Sequence, residues 1–147
     1  MKSVLISLSA FFLMGGLCFA EGDTPHPGLD NNGLKQCPES PNCVSSQEND
    51  PEHAIAPLIY QDGRREAFAR LRRILTEMKR TVIIMEKEDY IHAEATSFLF
   101  RFVDDIEFYF PVSEKVIRVR SASRKGYSDL GVNRTRVEEI RKRFSEL

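Results

Sequence analysis

The feature that most constrains the fold of this chain is a series of four strand-like segments flanked by two helical segments. The four segments read TVIIMEK, YIHAEATS, DIEFYF and VIRVRSAS, and they lie between residues 81 and 123. They are rich in β-branched and aromatic residues, and connections of two to seven residues separate them. Strands that follow one another through such short connections pair antiparallel. This part of the chain therefore predicts an antiparallel sheet of four strands.

The two helical segments complete the predicted architecture. The first, from about Arg64 to Arg80, has apolar residues at helical spacing, and Asp62 is its expected N-cap. The second runs from about Arg134 to Phe144, and its expected N-cap is Asn133. The order α-β-β-β-β-α predicts an α+β fold in which both helices cover one face of the four-stranded antiparallel sheet, preceded by an irregular N-terminal arm.

Alternation within the strands predicts which side chains share a face. A four-residue loop over residues 111–114 would direct Ile106, Phe108 and Phe110 to the core, together with Ile117, Val119 and Ser121. It would place Glu107 opposite Arg118, and Asp105 opposite Arg120, on the other face. A two-residue turn at Glu88-Asp89 would pair Ile84 with Ala93 and Val82 with Ala95. The second face would then also carry Ile83, Met85, Tyr90, His92, Glu94 and Tyr109, a mixture that suits a binding surface.

The N-terminus has the pattern of a secretory signal peptide. Lys2 precedes an apolar run, and small residues before Ala20 suit cleavage there. We therefore expect a signal peptide over residues 1–20, a flexible lead-in over 21–35 and a single α+β domain over 36–147. The protein would be periplasmic or secreted, not membrane-spanning after cleavage, although membrane association or a lipid anchor at Cys18 stays open.

Two cysteines remain after cleavage, in the segment CPESPNC. In an exported protein, Cys37 and Cys43 favour a disulfide. A zinc site that uses both thiols would need two more ligands, of which His26 and His53 are the nearest, and a nucleophilic Cys43 with His53 or His92 is a further alternative.

Composition excludes some functions. The formal net charge of −1 gives no support to nucleic-acid binding, although the last third of the chain is locally basic. The sequence contains no phosphate-binding loop, dinucleotide fingerprint or metalloprotease motif. We therefore predict no cofactor and no metal.

The segments CPESPNCVSSQ, FVDDIEF and VRSASRKGYSDLGVNRTRVEEIR, in this order, resemble a bacterial and plant family called domain of unknown function 1499. The resemblance covers about residues 35 to 145. It implies a small domain that is often exported, membrane-linked or plastid-targeted, and it carries over no activity and no catalytic residue. The family pattern includes the positions of Asp104, Asp105, Arg120, Ser121, Ser123, Arg124, Gly126, Tyr127, Asp129, Gly131, Asn133 and Arg134.

The polar stretch between the last strand and the last helix is the candidate site. Arg134 would lie in the first helical turn, where the helix dipole disfavours a cation, and Arg124 precedes it on the loop. Accessible N–H groups at the helix start would complete an anion site. Alternatively, the same arginines neutralise nearby acids in an internal network. The candidate ligand-binding residues are Asp104, Asp105, Arg120, Ser123, Arg124, Tyr127, Asn133 and Arg134.

Three functions remain open. The first is an exported binding or envelope-associated module whose partner is a small anionic ligand or an envelope protein. The second is an enzyme that uses the Asp/Arg/His face of the sheet, where His92 and Glu94 share a side. The third is a structural subunit of an envelope complex.

Overall fold

The computed structural model describes residues 28–30 and 33–147 of the 147-residue chain. The predicted signal peptide, the expected cleavage site and Cys18 lie outside the described residues, as does most of the expected lead-in. The strands are β1 (Leu29–Asp30), β2 (Gly33–Leu34), β3 (Cys43–Ser45), β4 (Leu58–Ile59), β5 (Thr81–Lys87), β6 (Tyr90–Thr96), β7 (Val103–Tyr109) and β8 (Val116–Ser123), and the helices are α1 (Arg64–Glu77) and α2 (Val132–Glu146).

The main sheet is antiparallel, and the α+β class is confirmed. Its order is β3-β8-β7-β6-β5, and β4 also pairs with β8, so the sheet has six strands and the predicted number of four is wrong. The two additional strands come from the arm: β4 pairs with the first part of β8, and β3 pairs with its last part. Segments of two and three residues are too short to show alternation, which is why the sequence did not indicate them.

Both predicted helices are present, but both predicted caps are wrong. Gly63 and Gly131 occupy the N-cap positions, and neither helix has a side-chain cap from its N-cap residue. Gly131 has a φ of 78°, in the left-handed region that favours glycine. Asp62 instead accepts a hydrogen bond from Arg70, and Asn133 lies inside the first turn of α2, where it is buried.

The core lies between the helices and one face of the sheet. The helices contribute Ala67, Leu71, Ile74, Leu75, Val137, Ile140 and Phe144, and the sheet contributes Ile91, Ala93, Ala95, Ile106, Phe108, Ile117 and Val119. The prediction that Ile106, Phe108, Phe110, Ile117, Val119 and Ser121 are directed inward is confirmed, since all six are fully buried. The other face, which we call the outer face, carries the polar side chains considered below.

The strand registers differ from the predicted ones in two places. In the last hairpin, Glu107 pairs with Arg120 and not with Arg118, and Asp105 pairs with Ala122. The last pair is Tyr109 with Arg118, so the connection between the paired residues, 110–117, is longer than predicted. The Glu88-Asp89 turn of the first hairpin is confirmed.

A register shift between Ile83 and Met85 changes the pairing beyond that turn. The shift pairs Ile83 with Ala93, so Ile83 packs against the core and the prediction that it joins the outer face is wrong. Val82 pairs with Glu94 and not with Ala95. A β-bulge inserts one residue, and it therefore reverses which residues face the core.

The arm before β3 is attached to the sheet. Strands β1 and β2 form a separate two-stranded ribbon, and β2 contacts β7 and β8. The predicted disulfide is present between Cys37 and Cys43, with 5.7 Å between their Cα atoms. Within the described residues, no helix combines the length and the apolar character needed to span a membrane.

Candidate functional site

The outer face of the sheet carries a row of ionisable side chains from three neighbouring strands. Residues that pair across antiparallel strands share a face. His92 on β6 pairs with Glu107 on β7, which in turn pairs with Arg120 on β8. Two residues farther along these strands, Glu94 on β6 pairs with Asp105 on β7. The register therefore gathers these five groups on one side of the sheet.

Glu107 is the most deeply buried charge of this row, with 0% of its surface exposed. Its carboxylate accepts a hydrogen bond from the hydroxyl of Tyr90 at 2.8 Å and one from Nη1 of Arg120 at 2.9 Å. Burial, followed by the charge of Glu107, raises the pKa of Tyr90 well above its usual value, so Tyr90 stays a neutral donor. A buried carboxylate needs such partners, because an unpaired buried charge is costly.

Asp105 is also buried, and it joins His92 to Arg124. Nε2 of His92 donates to Oδ1 of Asp105 at 2.7 Å. Nε and Nη2 of Arg124 reach the two carboxylate oxygens at 2.9 and 2.8 Å, in a bidentate arrangement. Burial by itself raises the pKa of Asp105, but the hydrogen bonds from His92 and Arg124 outweigh it, so this pKa is lowered.

Arg124 directly follows β8, and its side chain extends across the outer face. Besides Asp105, its Nη2 contacts the carboxylate of Glu94. The hydrogen bond to Asp105 is the largest cause that raises the pKa of Arg124, so the guanidinium stays charged. Its Nη1 makes no hydrogen bond to any residue that the structure describes.

In the part of the chain that the structure describes, His92, Glu94 and Asp105 form a group that could hold a metal ion. Each offers one ligand atom, and these atoms lie within 4.8 Å of one another. Imidazole and carboxylate are ordinary ligands of divalent transition metals. Arg124 already neutralises both carboxylates of this group, so a metal would have to displace its guanidinium.

A cleft of about 530 Å³ opens between this row and the N-terminal arm. We call it the arm cleft; it is lined by Lys35, Gln36, Cys37, Pro38, Ser40, Asn42, Asp105, Arg120, Ala122, Ser123, Arg124 and Gly126. The disulfide fixes one wall. Two further contacts tie the arm: Cys37 N donates to Glu48 at 2.8 Å, and Nε2 of His53 donates to the carbonyl of Pro38 at 3.0 Å.

Four of the eight predicted site residues line this cleft, namely Asp105, Arg120, Ser123 and Arg124. Tyr127 lies on the adjacent loop and is exposed. The remaining three are elsewhere. Asp104 and Asn133 lie between the sheet and α2, and Arg134 is directed towards the arm beyond β3, where it donates to the carbonyls of Ala54 and Glu52 at 2.8 and 2.9 Å.

The structure does not bring together the two arginines of the predicted anion site at the start of α2. Arg124 and Arg134 make contacts in different parts of the molecule. The carboxylate of Asp129 accepts hydrogen bonds from the N–H groups of Gly131 at 2.9 Å and Asn133 at 2.7 Å. An acidic side chain thus already occupies the position expected for an anion.

Asn133 forms a buried polar junction that joins three parts of the fold. Its Oδ1 accepts from the hydroxyl of Ser121 at 2.5 Å and from Nη1 of Arg136 at 2.7 Å. Its Nδ2 donates to the carbonyl of Asn42 at 3.1 Å. Nη2 of Arg136 also reaches Asp104 at 2.6 Å. The alternative expectation of an internal network therefore agrees with the structure for Arg124, which pairs with Asp105, whereas Asp104 pairs with an arginine that was not among those expected.

Sequence reasoning missed two residues of the arm, Lys35 and Asn42. Both line the cleft, and Asn42 also donates from Nδ2 to the carbonyl of Gly126 at 2.6 Å. The only available signal was their closeness to the two cysteines. Arg136 was missed as well, since its position in α2 resembles that of a solvated helical arginine.

A family model described as "Protein of unknown function (DUF1499)" matches residues 33–144. Because this match covers most of the chain, the protein belongs to that family, as the resemblance indicated. No curated protein and no solved structure matches the chain.

Proposed function

We propose that this chain is an exported binding module of the cell envelope that holds a small anionic molecule in the arm cleft. The observation that carries the proposal is the guanidinium of Arg124. It lines the cleft, it is anchored from behind by Asp105, and its Nη1 has no hydrogen-bond partner among the described residues.

The charges of the lining residues favour an anion. Lys35, Arg120 and Arg124 are cationic, whereas Asp105 is the one carboxylate in the lining. Arg120 uses only Nη1 in its contact with Glu107, and its buried Nε has no hydrogen-bond partner in the described part of the chain. Guanidinium groups with remaining donors recognise carboxylate and phosphate, because their planar N–H groups match pairs of anionic oxygens.

The arm supports binding by a preformed site. The disulfide and the hydrogen bonds to Glu48 and Pro38 fix the wall opposite the sheet, so little order needs to be gained when a ligand enters. A disulfide also suits an oxidising compartment, which agrees with the signal-peptide pattern of residues 1–20. These two features support export.

Thermal unfolding with added anions tests the proposal. Inorganic phosphate, glycerol phosphate, acetate and succinate are each titrated at constant ionic strength. A ligand at a hundred times its Kd should stabilise the folded state by about 2.7 kcal/mol. This stabilisation should vanish in Arg124→Gln, measured against the ligand-free melting temperature of that variant. It should persist in Arg73→Gln, which changes an exposed arginine that pairs with Glu77.

Two results would contradict the binding site. One is that none of the four anions changes the melting temperature of the wild type. The other is that Arg124→Gln and Arg73→Gln respond alike to the anion that stabilises the wild type. Arg124→Lys adds a check on geometry: it retains the charge but loses the two-pronged contact, so it should weaken binding without abolishing it.

An enzyme is the second candidate, and the contact between His92 and Asp105 favours it. A histidine that a buried carboxylate orients is a common general base. In that case His92→Gln should remove turnover of the bound molecule. The bound molecule should still raise the melting temperature of this variant. Absence of turnover by the wild type would reject this candidate and leave the binding module unaffected, whereas unchanged turnover in His92→Gln would reject His92 as the base.

A further inference from the structure

The loop between β6 and β7 exposes an unusual set of large apolar side chains. Phe98, Leu99 and Phe100 are exposed to between 68% and 77%, and Phe102 to 50%. We call these four residues the apolar tip. Single exposed apolar residues are common on soluble proteins, but four within five positions form a contiguous patch, which usually marks an interaction site.

Backbone contacts hold the apolar tip outward. The N–H of Ser97 donates to the carbonyl of Phe102 at 2.8 Å, and the N–H of Phe102 donates back to the hydroxyl of Ser97 at 2.9 Å. The rings of Phe100 and Phe102 stack with 5.6 Å between their centroids. These hydrogen bonds close the loop at its base.

Three cations surround the apolar tip, namely Lys79, Arg80 and Arg101; we call them the basic rim. The guanidinium of Arg80 lies over the ring of Phe98, 5.6 Å from its centroid. None of the three has a carboxylate partner within residues 28–30 and 33–147. Elsewhere in the fold most arginines are paired with acids, so this end of the sheet carries positive charge that the protein itself does not neutralise.

Two further apolar residues extend the patch. Leu130 and Val132, from the start of α2, line the same depression of about 430 Å³ as Phe98 and Arg80. Both are exposed. The apolar surface thus continues from the loop to the helix. Lys79 and Arg80 lie at its margin, together with Glu139, which pairs with Arg143.

We propose that the apolar tip inserts into the interfacial region of an anionic lipid bilayer, while the basic rim contacts the lipid phosphates. Aromatic and leucine side chains beneath a cationic margin suit the boundary between headgroups and acyl chains. A protein partner would need a complementary surface packed as densely as a protein interior. A projecting tip with each side chain mostly exposed suits a fluid bilayer, which needs no such preformed shape. This proposal is independent of the arm cleft.

Co-sedimentation with vesicles tests the proposal. The purified chain is mixed with vesicles of phosphatidylcholine, or of phosphatidylcholine with phosphatidylglycerol. We expect binding to the anionic vesicles that weakens as salt is added. Phe98→Ser with Phe100→Ser should reduce the partition coefficient about tenfold for each aromatic ring removed. The control Val112→Ser changes a residue that is 87% exposed, in the β7–β8 loop at the opposite end of the sheet, and should leave binding unchanged.

Vesicle binding of variants in the basic rim is compared with that of variants at lysines elsewhere on the surface. Lys79→Gln with Arg101→Gln should weaken binding to anionic vesicles about fivefold for each cation removed. Lys87→Gln with Lys142→Gln removes the same net charge from exposed positions elsewhere, and its effect should be much smaller. Because every variant shares residues 1–27, any contribution of that segment to vesicle binding is the same in all variants.

A fluorescent reporter examines insertion directly. The natural chain contains no tryptophan, so Phe100→Trp adds a single probe at the apolar tip. Its emission should shift to the blue when anionic vesicles are added. An unshifted emission, or equal losses of binding in the tip variant and in Val112→Ser, would overturn the proposal. Self-association that Phe98→Ser abolishes, without vesicle binding, would also overturn it and would assign the tip to contact with a second copy.

Discussion

Replacing Glu107 with glutamine should destabilise the domain far more than the same change at an exposed ion pair of the same hairpin. Glu107 is fully buried between Tyr90 and Arg120. Glutamine has nearly the same shape and retains one acceptor, so the main loss is the negative charge that compensates Arg120. Removing one partner of a buried pair costs about 3–5 kcal/mol. Since glutamine can keep a hydrogen bond, we expect about 3 kcal/mol.

This magnitude is large for a domain of this size. A small domain has a total stability of about 5–15 kcal/mol. A loss of about 3 kcal/mol should lower the melting temperature by roughly 12 °C. The control is Glu114→Gln, which breaks the contact with Arg118 in the same hairpin. These side chains are 45% and 27% exposed, so the control should cost less than about 1 kcal/mol.

Urea unfolding followed by circular dichroism measures both variants and the double variant Glu107→Gln with Arg120→Gln. The double variant removes both charges, so its cost should be less than the sum of the single costs by at least about 1 kcal/mol. Equal destabilisation by Glu107→Gln and Glu114→Gln would refute the reasoning. Strict additivity of the two changes at positions 107 and 120 would refute it as well.

Three further predictions concern the arm, the cleft and the junction. Cys37 and Cys43 should both resist thiol labelling under denaturing, non-reducing conditions, and replacing both with serine should cost about 2 kcal/mol in unfolding free energy by the loop-entropy model. Hydrogen bonds outweigh burial and lower the pKa of Asp105. The stability advantage of the wild type over Asp105→Asn should therefore be complete above about pH 4 and should disappear as the pH falls through the folded-state pKa. Urea melts that give the same difference in unfolding free energy at every pH would contradict this prediction. Asn133→Ala should cost about 2–4 kcal/mol in urea unfolding, because it leaves buried polar partners unsatisfied; a cost below about 1 kcal/mol would show that the junction does not hold α2.

The alternation of apolar residues was sufficient to predict the faces of the long strands. Ile106, Phe108 and Val119 face the core as expected, because a shift of register by two residues leaves the inward and outward sides unchanged. The same reasoning failed at Ile83. A bulge adds a single residue, and no residue in TVIIMEK identifies where that extra residue is inserted.

The candidate site was predicted only in part, for a similar reason. Asp105 and Arg120 lie on the two strands of the last hairpin and Arg124 directly follows it, so the pairing of these strands brings the three together. The opposite wall of the cleft comes from residues 35–42, far away in the sequence and without periodic signal. Arg134 was misplaced because the dipole argument treats the helix as isolated, whereas Asp129 and the carbonyls near Ala54 determine its surroundings.

The strand order of the main sheet also bears on how the protein avoids uncontrolled assembly. One side is closed, because β3 and β4 together cover the free edge of β8. Within the described residues, this leaves β5 as the long edge strand. It exposes Val82 and Ile84, but its ladder is broken by the bulge and ends with Glu86 and Lys87. Bulges and charges at an edge discourage a second chain from adding a strand. The irregularity that obscured the register from sequence is thus also a safeguard against aggregation.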